Sequence, residues 1–162
     1  MNKQEIYNFL QAKGIAYEVT EHKAVYNMDE LSEVNLPYPE ADAKNLFVRD
    51  DKKQHYYLLT VKGDKHVALK EFAAAHALRR LSFASTEDLK KFLQLLPGSV
   101  TPLGLLNNDN KDVKLFLDSD FSEENLIGVH PNENTATVWL NAGDLVRVIC
   151  EHGNEVEVVK VE

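Results

Sequence analysis

The chain has a single cysteine, Cys150, in 162 residues. No disulfide can close within it, and no cysteine-rich metal cage can form. The six histidines, His22, His55, His66, His76, His130 and His152, contain no HxxxH pair and have no cysteine at ligand spacing, which argues against a metal site. No GxSxG elbow occurs, and neither Ser99 nor Thr101 comes with a base that the sequence points to. Cys150 sits beside Val148 and Ile149 in the last turn of an amphipathic pattern, where a thiol reads as a small core hydrophobe rather than a nucleophile. Covalent catalysis, a metal and a cofactor are therefore not expected. Apolar runs are only a few residues long, far short of the ~20 that cross a bilayer. The opening MNKQEIYNFLQAKG alternates charged and apolar positions and reads as neither leader nor anchor. With the lone cysteine, this leads us to expect a reducing, cytoplasmic setting without a membrane.

What is present suits one ordinary domain spanning 1–162, with 44% hydrophobic residues to build its core. The formal net charge of −8 argues at first against a nucleic acid partner. The charge is segregated, however. Between Lys44 and Lys91, eleven Lys and Arg face six Asp and Glu, a local +5 that leaves −13 for the remainder. Such a segment is compatible with gripping one small part of a nucleic acid, such as a terminus, although a solvated basic face is the plainer reading.

Periodicity predicts an amphipathic helix over 3–13 ended by Gly14, a strand over 16–22, and a second short helix with Asn27 and Glu30 at capping-box spacing. A proline-stiffened loop follows over 35–42. Two period-two stretches, 44–49 and 55–62, flank the polar turn 50–53 and predict a β-hairpin. Further on come a helix over 69–78, a strand over 81–84, and a helix through Gln94 with a Ser85–Asp88 capping box. A glycine- and proline-punctuated loop over 98–104, a turn over 107–111 and strands over 113–118, 126–130 and 135–140 complete the middle. The chain closes with a helix capped by Asn141, with Asp144 in the box position, that ends at Gly153, and a strand over 155–161. Hairpins mixed with helices, without strict βαβ alternation, predict an α+β fold with a largely antiparallel or mixed sheet flanked by helices.

Three places carry candidate chemistry. Lys44 opens a strand whose alternate positions Leu46 and Val48 are apolar, so its amine either snorkels outward or enters a pocket, where it would hold an anion or stabilise an oxyanion. The stretch Gly98-Ser99-Val100-Thr101-Pro102-Leu103-Gly104 is either a plain connector or a rigid bend that turns main-chain groups toward a ligand. His130, between the small Gly128 and Pro131, is either a satisfied structural histidine or the wall of a pocket.

In order along the chain, AKNLFVRD from Ala43, YYLLTVKGDK from Tyr56, LSFAS from Leu81, PGSVTPLGL from Pro97 and IGVHPNENTATV from Ile127 resemble one family. That family is the YbaK-like aminoacyl-tRNA deacylases related to the editing insertion of bacterial prolyl-tRNA synthetase, and the resemblance is nearest to the freestanding alanyl-tRNA(Pro) deacylases. It implies a compact α+β domain with a strongly curved sheet around a small pocket. It also implies that Lys44 is the essential polar residue that binds the tRNA end, with Asn45 beside it. By the same resemblance, Gly98 and Pro102 bound the family's Gly-x-x-x-Pro loop, with Ser99, Val100 and Thr101 lining it, and Gly128 and His130 shape the amino acid pocket. Leu103 departs from the pattern, since relatives often carry phenylalanine there.

The implied partner is the acceptor end of an aminoacylated tRNA, that of tRNA(Pro), with transient association with translation components. The chemistry fits the residues. An aminoacyl ester is already activated, so a positioned water and a stabilised oxyanion suffice for hydrolysis, with the ribose hydroxyl able to orient the water. Two other readings share the pocket: a cysteinyl-tRNA(Pro) deacylase, and a noncatalytic binder of aminoacyl-tRNA.

Overall fold

The computed structural model describes residues 1–24, 36–121 and 125–161. The expected short helix after Asn27 lies outside the described residues. Helix α1 spans Lys3–Ala12 and opens with a complete capping box, Asn2 accepting from the Glu5 amide while the Glu5 carboxylate accepts from the Asn2 amide. Its apolar stripe buries Ile6 and Leu10 completely. Strand β1 (Tyr17–Glu21) follows, then a single 3-10 turn, Pro39–Ala41, in the proline-rich stretch.

The hairpin forms from β2 (Ala43–Asp50) and β3 (Tyr56–Lys62), paired antiparallel from Ala43↔Lys62 to Arg49↔Tyr56. Asp50 closes its turn by accepting from the Gln54 amide. Beyond it come α2 (Leu69–Ala75), β4 (Leu81–Phe83) and α3 (Thr86–Leu93). Ser85 caps α3 as expected, but the box is half made, because the Asp88 side chain engages Tyr56 instead. The glycine–proline stretch is a loop only through Thr101. Pro102, whose ring presets a helical φ, then starts a 3-10 helix, Pro102–Asn107, with every residue buried.

Strands β5 (Val113–Asp118), β6 (Leu126–Val129) and β7 (Ala136–Asn141), helix α4 (Ala142–His152) and strand β8 (Val156–Val159) finish the chain. Asn141 caps α4 through the Gly143 amide, while Asp144 pairs with Arg147 at 3.1 Å rather than completing a box. Cys150 is exposed, which corrects the core reading. The buried stripe of α4 is Leu145, Val148 and Ile149, and the next residue rotates about 100° away from it.

The strands form two sheets. One is mixed, in the order β4-β2-β3-β5-β8, with β3, β5 and β8 parallel. The other is antiparallel, in the order β1-β7-β6. Among the described residues, one isolated parallel bridge, Asp42↔Gly128, joins the entry to β2 with β6 across the seam. The main core fills the space between the sheets, α1, α3 and α4 with residues such as Phe47, Leu58, Leu115, Ile127, Val138 and Leu145. A second cluster on the far side of the five-stranded sheet packs Val48, Leu59, Val61 and Phe116 against Phe72 of α2.

Candidate functional site at the seam between the sheets

Alternation along β2 sends Leu46 and Val48 into the second cluster, so Lys44 leaves the strand on that same side at its open end. The half-buried side chain neither enters the core nor ends free in solvent. Its Nζ donates to the Lys65 carbonyl, 3.1 Å away, in the connection between β3 and α2. Among the described residues no carboxylate forms an ion pair with it. Among the described residues, two of its three donors are left without a hydrogen bond. Asn45 lies on the opposite strand face, and its Oδ1 accepts from the fully buried Thr60 hydroxyl at 2.6 Å, so its side chain is not brought to Lys44.

The parallel bridge sets the rest of the arrangement. From Asp42 and Gly128, β2 and β6 run in the same direction, so Lys44 and His130 stand at equal offsets, two residues beyond the bridged pair. Gly128 is required by close approach: a Cβ there would fall inside the edge of the Trp139 ring, which lies across it from β7. The Trp139 indole donates to Thr20 Oγ1 at 2.9 Å, and the Tyr38 ring meets it edge-on at 5.3 Å.

His130 donates from Nδ1 to the Ala136 carbonyl at 2.9 Å, because a carbonyl can only accept. Burial, offset in part by that bond, holds the imidazole below its usual pKa. The neutral ring thus presents Nε2 as an acceptor. His22 lies beside it, with Nδ1 donating to the Lys23 carbonyl and Nε2 within 2.9 Å of the Thr137 hydroxyl, and the two imidazoles meet edge to face at 6.2 Å.

The Gly98–Pro102 loop is tied directly to this group. Thr101 is completely buried, and its hydroxyl donates to the His130 carbonyl at 2.6 Å while accepting from the Leu103 amide. Gly98 turns the chain with φ 87°, a conformation that favours glycine. The Ser99 amide is used on the Leu96 carbonyl, Val100 packs against the main core, and Pro102 is buried. Leu103, at the departing position, is wholly enclosed in that core. Thr101, Gly128 and His130 are therefore one contiguous unit, with Lys44 on the neighbouring strand.

Sequence reasoning missed Asp42. It is 6% exposed, its Oδ2 has no hydrogen-bond partner, and burial pushes its carboxyl up to about 7 despite the Ala43 amide. Its alternate register with Lys44 was the available signal. Among the described residues, no group of three or more His, Cys, Asp or Glu could hold a metal ion, and no helix is long and apolar enough to cross a membrane.

Comparison with known proteins gives the chain a family. The model of the aminoacyl-tRNA editing domain matches residues 22–148, and the chain belongs to that family. The prolyl-tRNA editing protein ProX of Acetoanaerobium sticklandii is 33% identical over 159 residues, covering 98% of this chain and 97% of its own. Prolyl-tRNA synthetase associated domain-containing protein 1 of Mus musculus is 32% identical, covering 94% and 92%. A solved structure of a candidate trans-editing enzyme for prolyl-tRNA synthetase superposes with a TM-score of 0.72 over 99% of this chain and 96% of that one. At 17% identity, that last likeness speaks for the α+β fold alone.

Proposed function

We propose that the protein, acting as one editing domain, hydrolyses the ester of a mischarged tRNA(Pro) in trans, with alanyl-tRNA(Pro) as its substrate. Membership of the editing family and the likeness to a prolyl-tRNA editing protein support the reaction class. The observation that carries the reading is the hydrogen bond from Thr101 to the His130 carbonyl, which joins the glycine–proline loop to the histidine beside the strand that bears Lys44.

In this reading, Lys44 anchors the terminal adenosine region of the tRNA and offsets the charge that develops on the attacked carbonyl. The Gly98 to Pro102 main chain holds the ester, and the ribose hydroxyl orients the water. No strong nucleophile is needed, because the leaving group is already activated. His130, in a fixed tautomer, walls the amino acid pocket. A pocket excludes the larger proline more readily than it could reject a smaller side chain, so a site sized for alanine spares correctly charged tRNA. A substrate of this kind fits a cytoplasmic setting, close to the translation apparatus.

Incubation with alanyl-, cysteinyl- and prolyl-tRNA(Pro) tests the proposal. Rapid release of alanine with prolyl-tRNA left intact is expected. Faster release of cysteine would reassign the substrate, and binding without turnover would overturn the enzymatic reading.

A further inference from the structure

We propose that the buried Asp118 carboxylate, acting through Lys65, is the device that positions the Lys44 ammonium. The inference rests on the reading above, in which Lys44 works on the substrate. Asp118 ends β5 and is 0% exposed, yet both of its oxygens are used. Oδ2 accepts from the Lys62 amide at 3.1 Å and stands 2.8 Å from the Lys65 ammonium. Oδ1 accepts from Lys65 Nζ at 3.0 Å and from the Asp120 amide at 3.0 Å. Lys65 Nζ is further held by Asp120 Oδ2 at 2.8 Å and by the Val161 carbonyl at 2.7 Å.

These contacts clamp both ends of one tight turn. The turn closes on itself through the bond from the Lys65 amide to the Lys62 carbonyl, and the Gly63 amide ties it to the Asp42 carbonyl at the entry to β2. What this fixed turn presents outward is the Lys65 carbonyl, the group that receives Lys44 Nζ.

The arrangement divides the work between two lysines. Among the described residues, Lys65 takes up the carboxylates while Lys44 meets a neutral dipole and forms no ion pair. A free lysine side chain loses rotamer entropy when its end is ordered. Ordering its end before substrate arrives lowers the reorganisation needed at the transition state. Lys65 and Asp118 are thus positioning residues.

The test uses Asp118→Asn, which keeps the shape but removes the charge, and Lys65→Met, which removes the amine but keeps the carbonyl. Lys65→Arg can remake the pair. Two quantities are read: kcat/KM on alanyl-tRNA(Pro), and the side-chain ¹⁵N–¹H resonance of Lys44, assigned by its disappearance in Lys44→Ala. Asp118→Asn and Lys65→Met are expected to lower kcat/KM by about 10- to 100-fold and to displace that resonance, while Lys65→Arg recovers most of both. Should Asp118→Asn fail to fold, the two Lys65 variants carry the comparison. An unmoved resonance in a folded variant overturns the inference, and so does a displaced resonance with undiminished turnover. A wild-type protein without turnover on any charged tRNA(Pro) would instead defeat the deacylase reading, leaving the resonance to judge the contact by itself.

Discussion

The five-stranded sheet is covered by apolar side chains on both faces, whereas the three-stranded sheet gives one face to the core and keeps polar and aromatic groups on the other. Leu58 and Leu115 face the main core while Leu59 and Phe116 face the second cluster, so β3 and β5 are nearly continuous apolar runs. In the smaller sheet, Ile127, Val129, Val138 and Leu140 point inward. The opposite positions hold Thr20, Thr137, Trp139 and Gly128, with His22 and His130 at the strand ends. The polar groups there are paired: each imidazole sets its Nδ1 on a backbone carbonyl, and the Trp139 indole donates to Thr20. The larger sheet supplies a rigid base that carries Lys44 at its open end, and the smaller one supplies His130 and its polar neighbours. The proposed site lies where the Asp42↔Gly128 bridge joins them.

Substitutions on either side of the seam put that contrast to the test. The largest effect is expected at the seam: Lys44→Ala should lower deacylation by on the order of 10²- to 10³-fold, with an unchanged circular dichroism spectrum. Full activity would remove Lys44 from the mechanism. Next, Gly128→Ala drives a methyl group into the Trp139 ring and should cost about 1–3 kcal/mol in urea unfolding. A neutral outcome would mean that the indole is free to move.

Asp42 gives a pH signature. Its folded carboxyl sits at about 7, above the ordinary carboxylate value, so the folded state holds the proton more tightly than the unfolded chain does. That contribution is fully present below about pH 4 and is lost as pH rises through about 7. Asp42→Asn should therefore gain stability relative to wild type between pH 5 and 8, by on the order of 2 kcal/mol, in paired unfolding curves. A pH-independent difference would contradict the burial argument. The smallest effect expected is one of specificity. His130→Ala should raise prolyl-tRNA(Pro) cleavage by about tenfold, and unchanged discrimination would remove His130 from the pocket wall.

The local elements were legible because their signals are local. The β2–β3 hairpin, strand β5 and helix α1 follow from period and capping, within a residue or two at their ends. The family motifs marked Lys44, the glycine–proline loop and His130. What stayed hidden depends on contacts distant in sequence. No periodicity announces that β1, β6 and β7 separate into their own sheet, or that Asp42 meets Gly128. Asn45 looked like a helper by adjacency, but alternation turns it away to Thr60. Sequence reasoning singles out neither Lys65 nor Asp118, since the parallel pairing of β3 with β5 brings them together.

Above all, the proposed reaction requires a cationic amine at position 44. Lys44→Cys in a Cys150→Ser background leaves one thiol, which 2-bromoethylamine converts to an aminoethyl side chain of nearly lysine length. Alanine release from alanyl-tRNA(Pro) should collapse in the thiol form and return after alkylation. A thiol form as active as the parent protein would contradict the account.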